Sequence, residues 1–200
     1  MTDARAIAAR IDAVVIGASA GGVEAVSLLL PALSDALRAA VFIVLHQPRE
    51  RHSLLPALFQ RKCAWPLHEA VDKQPIATGN VYLAPPDYHL LVDRGPCIAL
   101  SADEPVHFSR PSIDVLFESA ADLYGERLLG IVLTGANEDG AAGLASVAAA
   151  GGVTVVQRPD TAQASTMPAA ALRRIAADFV LPLAGIAGLL AGTRGHGPPP

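Results

Sequence analysis

The stretch that most limits what this chain can fold into runs from Val14 to Val26, "VVIGASAGGVEAV". A short β-branched run, Ala13 to Ile16, passes through Gly17-Ala18-Ser19-Ala20-Gly21-Gly22 into a helical pattern from Val23 to about Leu30. Strand, tight turn and helix in that order open an α/β domain. Two chemistries use such a turn: backbone amides can cradle a nucleotide phosphate, or the turn can lift a serine hydroxyl clear of the sheet as a nucleophile. The pentapeptide from Gly17 to Gly21 has the G-x-S-x-G form of the second. A dinucleotide fold places an acid about 20 residues on, at the end of the second strand, and His46 occupies that place here. Ser19 also stands where the second glycine of G-x-G-x-x-G belongs, so nucleotide binding is the more remote reading.

The remaining pattern extends the α/β reading. A second buried strand spans Val41 to Leu45, followed by "QPRE" and a helix around Ser53 to Gln60. Between residues 65 and 100 the style changes. Leu67, Val81 to Ala84, His89 to Val92 and Ile98 to Leu100 are short runs separated by "KQPIATGN", "PPD" and "DRGP", and they read as an antiparallel insertion. Alternation then returns. Ser112 is a candidate N-cap for a helix whose apolar face is Ile113, Leu116, Phe117, Ala120, Ala121 and Tyr124. There follow a strand from Leu128 to Leu133, the turn "TGANEDG", a helix from Ala141 to Ala150 and a strand from Val153 to Gln157. "MPAAALRRIAA" with Pro168 near its first turn, a strand from Phe179 to Leu181 and a helix from Ala184 to Leu190 close the chain. The expected fold is a doubly wound, mostly parallel sheet with helices on both faces and an antiparallel hairpin insertion. Residues 1–11 are expected to be a tail, 12–191 a single domain, and 192–200, "GTRGHGPPP" from Gly192, a disordered tail.

Composition narrows the function. A net charge of -4, with no run of Lys or Arg interleaved with aromatics, argues against nucleic acid and anionic membrane surfaces as partners. The longest apolar runs fall far short of the roughly 20 residues needed to span a bilayer, and no signal-peptide pattern opens the chain. Two cysteines, Cys63 and Cys97, without CxxC spacing fit a reducing cytoplasm. Six scattered histidines without ligand spacing argue against a metal, and nothing calls for a cofactor.

Parallel strands end at one edge, so the residues just after them gather there however far apart they lie in sequence. Three such exits carry chemistry: Ser19 after the first strand, His46 after the second, and Asp139 in the turn after Leu133. A hydroxyl, an imidazole and a carboxylate are what nucleophilic acyl transfer needs, as nucleophile, general base and orienting group. Amides near the turn, such as those of Ala20 or Gly21, and in the loop Gly135, Ala136 and Asn137, are candidate oxyanion donors. Each residue alone also has a plainer reading: Ser19 and Asp139 as helix N-caps, His46 as a hydrogen-bonded strand-end histidine.

Six segments, "VVIGASAGGVEAV", "FIVLHQP", "VYLAPPDYHLLV", "SRPSIDVLFESAA", "GIVLTGANEDGAAGL" and "MPAAALRRIAADFVLPL", together resemble the chemotaxis protein-glutamate methylesterases of CheB type, in family order from about residue 13 to residue 190. The resemblance implies a Ser19, His46 and Asp139 triad. It also implies hydrolysis of glutamate methyl esters on the cytoplasmic helices of chemoreceptors, with deamidation of receptor glutamines as a companion activity, and it places Arg110 and Met167 at the cleft rim. Two positions depart from the family pattern: Ala20 stands where Thr is common after the serine, and Ala136 where the "TGMG" turn carries Met. Only 12 residues precede the first strand. The resemblance is thus to an isolated catalytic domain, free of the family's N-terminal receiver and regulated, if at all, by a partner in trans. The rival from another class is a binding module that keeps the fold without efficient catalysis.

Overall fold

A computed structural model of the chain describes residues 7, 9–34, 37–47 and 54–192. Its elements are β1 (Ala13–Ala18), α1 (Gly22–Leu29), β2 (Ala40–Leu45), α2 (Leu55–Gln60), β3 (Leu67–Glu69), β4 (Val81–Leu83), β5 (His89–Asp93), β6 (Cys97–Ser101), α3 (Ile113–Tyr124), β7 (Leu128–Val132), α4 (Ala141–Ala149), β8 (Val153–Gln157), α5 (Thr166–Arg174), β9 (Phe179–Leu181) and α6 (Leu183–Leu190).

Seven strands form one sheet in the order β3-β4-β2-β1-β7-β8-β9, and every pairing in it is parallel. β1, β2, β7 and β8 are buried along their whole length, which is why they read as continuous apolar runs. Alternate residues serve opposite faces. Val14 and Ile16 pack with Val26 and Leu29 of α1 and Ile186 of α6, whereas Ala13 and Val15 pack with Leu116 and Phe117 of α3 and Leu144 of α4. The chain builds outward from β1 through β2 and then returns to add β7 on its other flank. The reversal opens a crevice beyond the carboxyl ends of β1 and β7, the place where such sheets hold ligands.

The insertion is smaller than the sequence pattern suggests. Among the described strands only β5 and β6 pair antiparallel, from His89↔Ser101 to Asp93↔Cys97. Leu67 and Val81 to Leu83, expected to be antiparallel, belong to parallel edge strands of the main sheet. Their connection, residues 70–80, contains no helix, so the usual mark of a parallel crossover is missing from the sequence. At the other end, Ile7 and Ile11 are buried in the core, so packing takes in residues ahead of position 12 that read as a tail. The expected disordered segment lies, beyond Gly192, outside the described residues, as does the expected helix start at Ser53. Among the described residues, no helix is long and apolar enough to cross a membrane.

Candidate active site

β1 and β2 are in register at Ala18↔Leu45, so Ser19 and His46 leave the sheet side by side, on strands about 5 Å apart. The two exits are tied: His46 N–H donates to Ala18 O at 3.2 Å and Ser19 N–H to Thr134 O, beyond β7, at 2.9 Å. Gly21 then turns the chain into α1 with φ 77°, a left-handed conformation that a Cβ disfavours. A Cβ there would also come within 2.5 Å of Gln163 Oε1.

Asp139 is fully buried and takes four donors. Its Oδ2 accepts from His46 Nε2 at 2.8 Å and from Ile113 N–H at 2.7 Å; its Oδ1 accepts from Ser112 Oγ at 2.9 Å and from Asp114 N–H at 3.0 Å. The carboxylate therefore caps the start of α3, a helix distant in sequence, and not α4, which follows it. Ser112 sits at the N-cap position of α3, as expected, but its hydroxyl serves Asp139 and caps nothing. Burial alone would push the Asp139 carboxyl up; the hydrogen bonds from His46 and from the Asp114 and Ile113 amides outweigh it and hold the group below the ordinary carboxylate range. Beside it, burial raises Asp114, whose Oδ1 accepts from Gly140 N–H at 2.9 Å and Gly143 N–H at 2.6 Å. The two carboxyls are pushed in opposite directions, and the one facing His46 is the one kept ionised.

An ionised Asp139 only accepts, so the neutral His46 ring carries its proton on Nε2 and leaves Nδ1 as the free base nitrogen. Ser109 Oγ lies 3.4 Å from that nitrogen, a long contact. The Ser19 hydroxyl makes no hydrogen bond among the described residues.

The amides of Ala20, Gly21, Ala136 and Asn137 have no hydrogen-bond partner among the described residues and lie in the loops that follow β1 and β7, whereas Gly135 N–H is already given to Ala164 O at 3.0 Å. Thr134 braces this wall: its hydroxyl donates to Ala20 O at 2.8 Å and accepts from Ala164 N–H at 2.9 Å, and its N–H donates to Gln157 Oε1 at 2.9 Å. Met167, expected at the rim, is fully buried; its Sδ and Cε would meet a Cβ on Gly135 at 2.5 and 2.4 Å, so it supports the loop from behind. Arg110, expected at the rim, has a largely buried side chain whose guanidinium is engaged by Asp87, Ala102 and Asp103. Ser109, Ser112, Thr134 and Gln157 carried no motif as site residues; only their position next to strand ends or in "SRPS" could have drawn attention to them.

A serine on a sharp strand-to-helix turn, an imidazole on the adjacent strand exit and a buried carboxylate behind it make the arrangement of an α/β serine hydrolase. The CheB methylesterase family matches residues 14–190, and the chain belongs to that family. A protein of Leptospira interrogans is 43% identical over 178 residues, covering 89% of this chain and 92% of its own length. The protein-glutamate methylesterase/protein-glutamine glutaminase of Symbiobacterium thermophilum is 38% identical over 184 residues, covering 92% of this chain but 51% of its own length. The crystal structure of the Thermotoga maritima CheB methylesterase catalytic domain superposes with a TM-score of 0.85 at 28% identity, covering 90% of this chain and 97% of that one. The matches establish the doubly wound α/β fold with its small antiparallel sheet.

Proposed function

We propose that the chain is a protein-glutamate methylesterase that hydrolyses γ-glutamyl methyl esters by an acyl-enzyme mechanism, with Ser19 as nucleophile, His46 as general base and Asp139 as the orienting carboxylate. The observation that carries this reading is the 2.8 Å contact between His46 Nε2 and an Asp139 carboxylate locked by three further donors, one strand away from Ser19. Ser19 Oγ rotates toward His46 Nδ1, gives up its proton there and bonds to the ester carbonyl carbon. The oxyanion is received by the unpaired amides of the Ala20–Gly21 turn and of Ala136 and Asn137. Methanol leaves with the proton from Nδ1, and water, deprotonated by the same nitrogen, cleaves the acyl-enzyme to the glutamate carboxylate. A glutamine side chain enters the same sequence with ammonia as the leaving group.

The substrate proposed is the methylated cytoplasmic helices of chemoreceptor-type proteins, and the compartment is the cytoplasm. The catalytic unit proposed spans 12–191, with Ile7 and Ile11 packed against it. Arg110 shapes substrate entry by pinning the cleft rim, and Met167 does so through the Gly135 loop. Ala20 and Ala136 leave the mouth of the site wider than Thr and Met would, consistent with ester turnover through backbone donors alone. Methanol release from a methylated receptor fragment tests the reading. Wild type releases methanol, and Ser19→Ala and His46→Ala each lose nearly all of it; no release by wild type sinks the esterase reading and leaves the binding module.

A further inference from the structure

The turn beside His46 is built in a way that its sequence resists. Val106 and Ser109 pair as antiparallel partners, with Val106 N–H donating to Ser109 O at 3.1 Å and Ser109 N–H to Val106 O at 2.8 Å. His107 and Phe108 are therefore the two central residues of a two-residue hairpin turn, and both have positive φ, 49° and 60°. That geometry favours Asn-Gly; a Phe in it is crowded by its own Cβ. Burial offers no compensation, since Phe108 is 101% exposed, the most exposed large apolar side chain among the described residues.

The surroundings hold the turn in place all the same. His107 Nε2 lies 3.5 Å from Asp114 Oδ2. Arg110 bonds Asp87 Oδ1 through Nε at 3.0 Å and Nη2 at 2.8 Å, and the carbonyls of Ala102 and Asp103 through Nη1 at 2.6 and 2.8 Å. Asp87, on the facing loop, has positive φ as well, 62°. Unfavourable backbone is thus gathered at one rim of the site, and its one product is an apolar ring standing in solvent next to the residue that touches the base.

We propose that Phe108 is the apolar anchor for the protein substrate, packing on the helix that presents the glutamyl ester; the proposal rests on the methylesterase reading of the site. Phe108 adjoins Ser109, whose Oγ is 3.4 Å from His46 Nδ1, so the Phe108 Cα lies within about 10 Å of that nitrogen. A glutamyl side chain reaching Ser19 brings its own helix down onto this rim. Side chains one or two turns away from it, about 5 or 11 Å along the helix axis, fall over the ring, where an apolar residue is covered by it. A small ester lacks those turns and does not reach Phe108. The anchor therefore sets which proteins are processed and leaves the chemistry alone.

The test uses Phe108→Asn, since Asn tolerates the left-handed region and the side chain is buried against nothing. Two substrates are compared: the methylated receptor fragment and a blocked glutamate γ-methyl ester. The expected result is a KM for the fragment raised about tenfold or more, with kcat/KM for the small ester within about twofold of wild type and a melting temperature equal or higher. In the Ser19→Ala background, calorimetric titration with the fragment shows the same loss of affinity without turnover. An unchanged KM and affinity for the fragment, or an equal loss on both substrates, overturns the anchor while leaving the esterase reading intact. Absence of release by wild type overturns that reading first, and the anchor with it.

Discussion

Asp139→Asn separates the two tasks of the buried carboxylate. The substitution changes one oxygen to an NH2 group at a side chain with no exposure and four donors aimed at it. With the remaining oxygen in the Oδ1 place, Ser112 and the Asp114 amide keep an acceptor, though a neutral one. The new NH2 then faces two donors, Ile113 N–H and His46 Nε2–H. His46 can adapt by moving its proton to Nδ1, which removes the lone pair needed to deprotonate Ser19. Ile113 N–H cannot adapt and is left unpaired, at a cost of about 1–3 kcal/mol. Adding the weakening of the remaining bonds from charge-assisted to neutral, the expected loss is about 2–4 kcal/mol. For a domain of this size that is a fall of roughly 5–15 °C in melting temperature. Activity is expected to fall by about four orders of magnitude, the scale of losing the correct tautomer.

The same carboxylate sets an acid limb. Its folded-state titration lies below the ordinary carboxylate range. Its contribution to stability is therefore complete above that range and is lost as pH falls through the folded value. Thermal melts from neutral pH downward should show the gap between wild type and Asp139→Asn largest at neutral pH and closing on acidification. A variant that melts like wild type at neutral pH, or that retains methanol release within about tenfold, refutes the account of Asp139 as both cap and orienting group.

Three further outcomes follow from the site wall and the core. Thr134→Val leaves Ala20 O and Ala164 N–H without their partner and is expected to cost about 2 kcal/mol in denaturant melts, whereas Thr134→Ser, which keeps the hydroxyl, loses under about 1 kcal/mol; equal losses contradict the bracing role. Gly21→Ala adds a Cβ to a residue at φ 77° and 2.5 Å from Gln163 Oε1; the backbone term alone is about 1–2 kcal/mol, so adding Gln163→Ala should restore only part of the stability, and full recovery would show that φ is not the obstacle. Burial pushes the Cys63 thiol up, with the hydrogen bond at Trp65 opposing it, so native protein at neutral pH should take maleimide first at half-buried Cys97, and modification of Cys63 at a rate matching Cys97 would contradict the packing around it.

Ser19 and His46 were legible as candidates because each directly follows a strand read from a continuous apolar run buried on both faces, "VVIGA" and "FIVL", whereas Asp139 lies seven residues beyond the end of β7 in a turn. Parallel pairing then does the rest, bringing Ser19, His46 and the loop after β7 to one edge without any local signal linking them. Where the signal was local but short, it misled. β3 and β4 are three residues each, joined by a helix-free connection, and sequence pattern alone has no way to tell such strands from hairpin strands. The supporting hydroxyls were out of reach for another reason: Ser109 and Ser112 meet residues 63 and 27 positions away, and a serine's partner is decided by tertiary packing, not by its neighbours in the chain.

Asp139 shows how a bland reading and a functional one can both hold. As a lone residue before an Ala-rich helix it reads as an N-cap, and it is a cap, but for the amides of Ile113 and Asp114 at the start of α3. Capping a helix from across the fold fixes both carboxylate oxygens, and with them the direction of the one that meets His46. Ala136 and Ala20 contribute no side-chain hydrogen bond and are not among the four donors that hold the carboxylate. The substitutions that set this chain apart from its family pattern therefore fall outside the set of donors around Asp139, whereas His46 and Asp139 are held by the main sheet and by α3. Change at Ala20 or Ala136 can therefore proceed without removing any of the four bonds to Asp139.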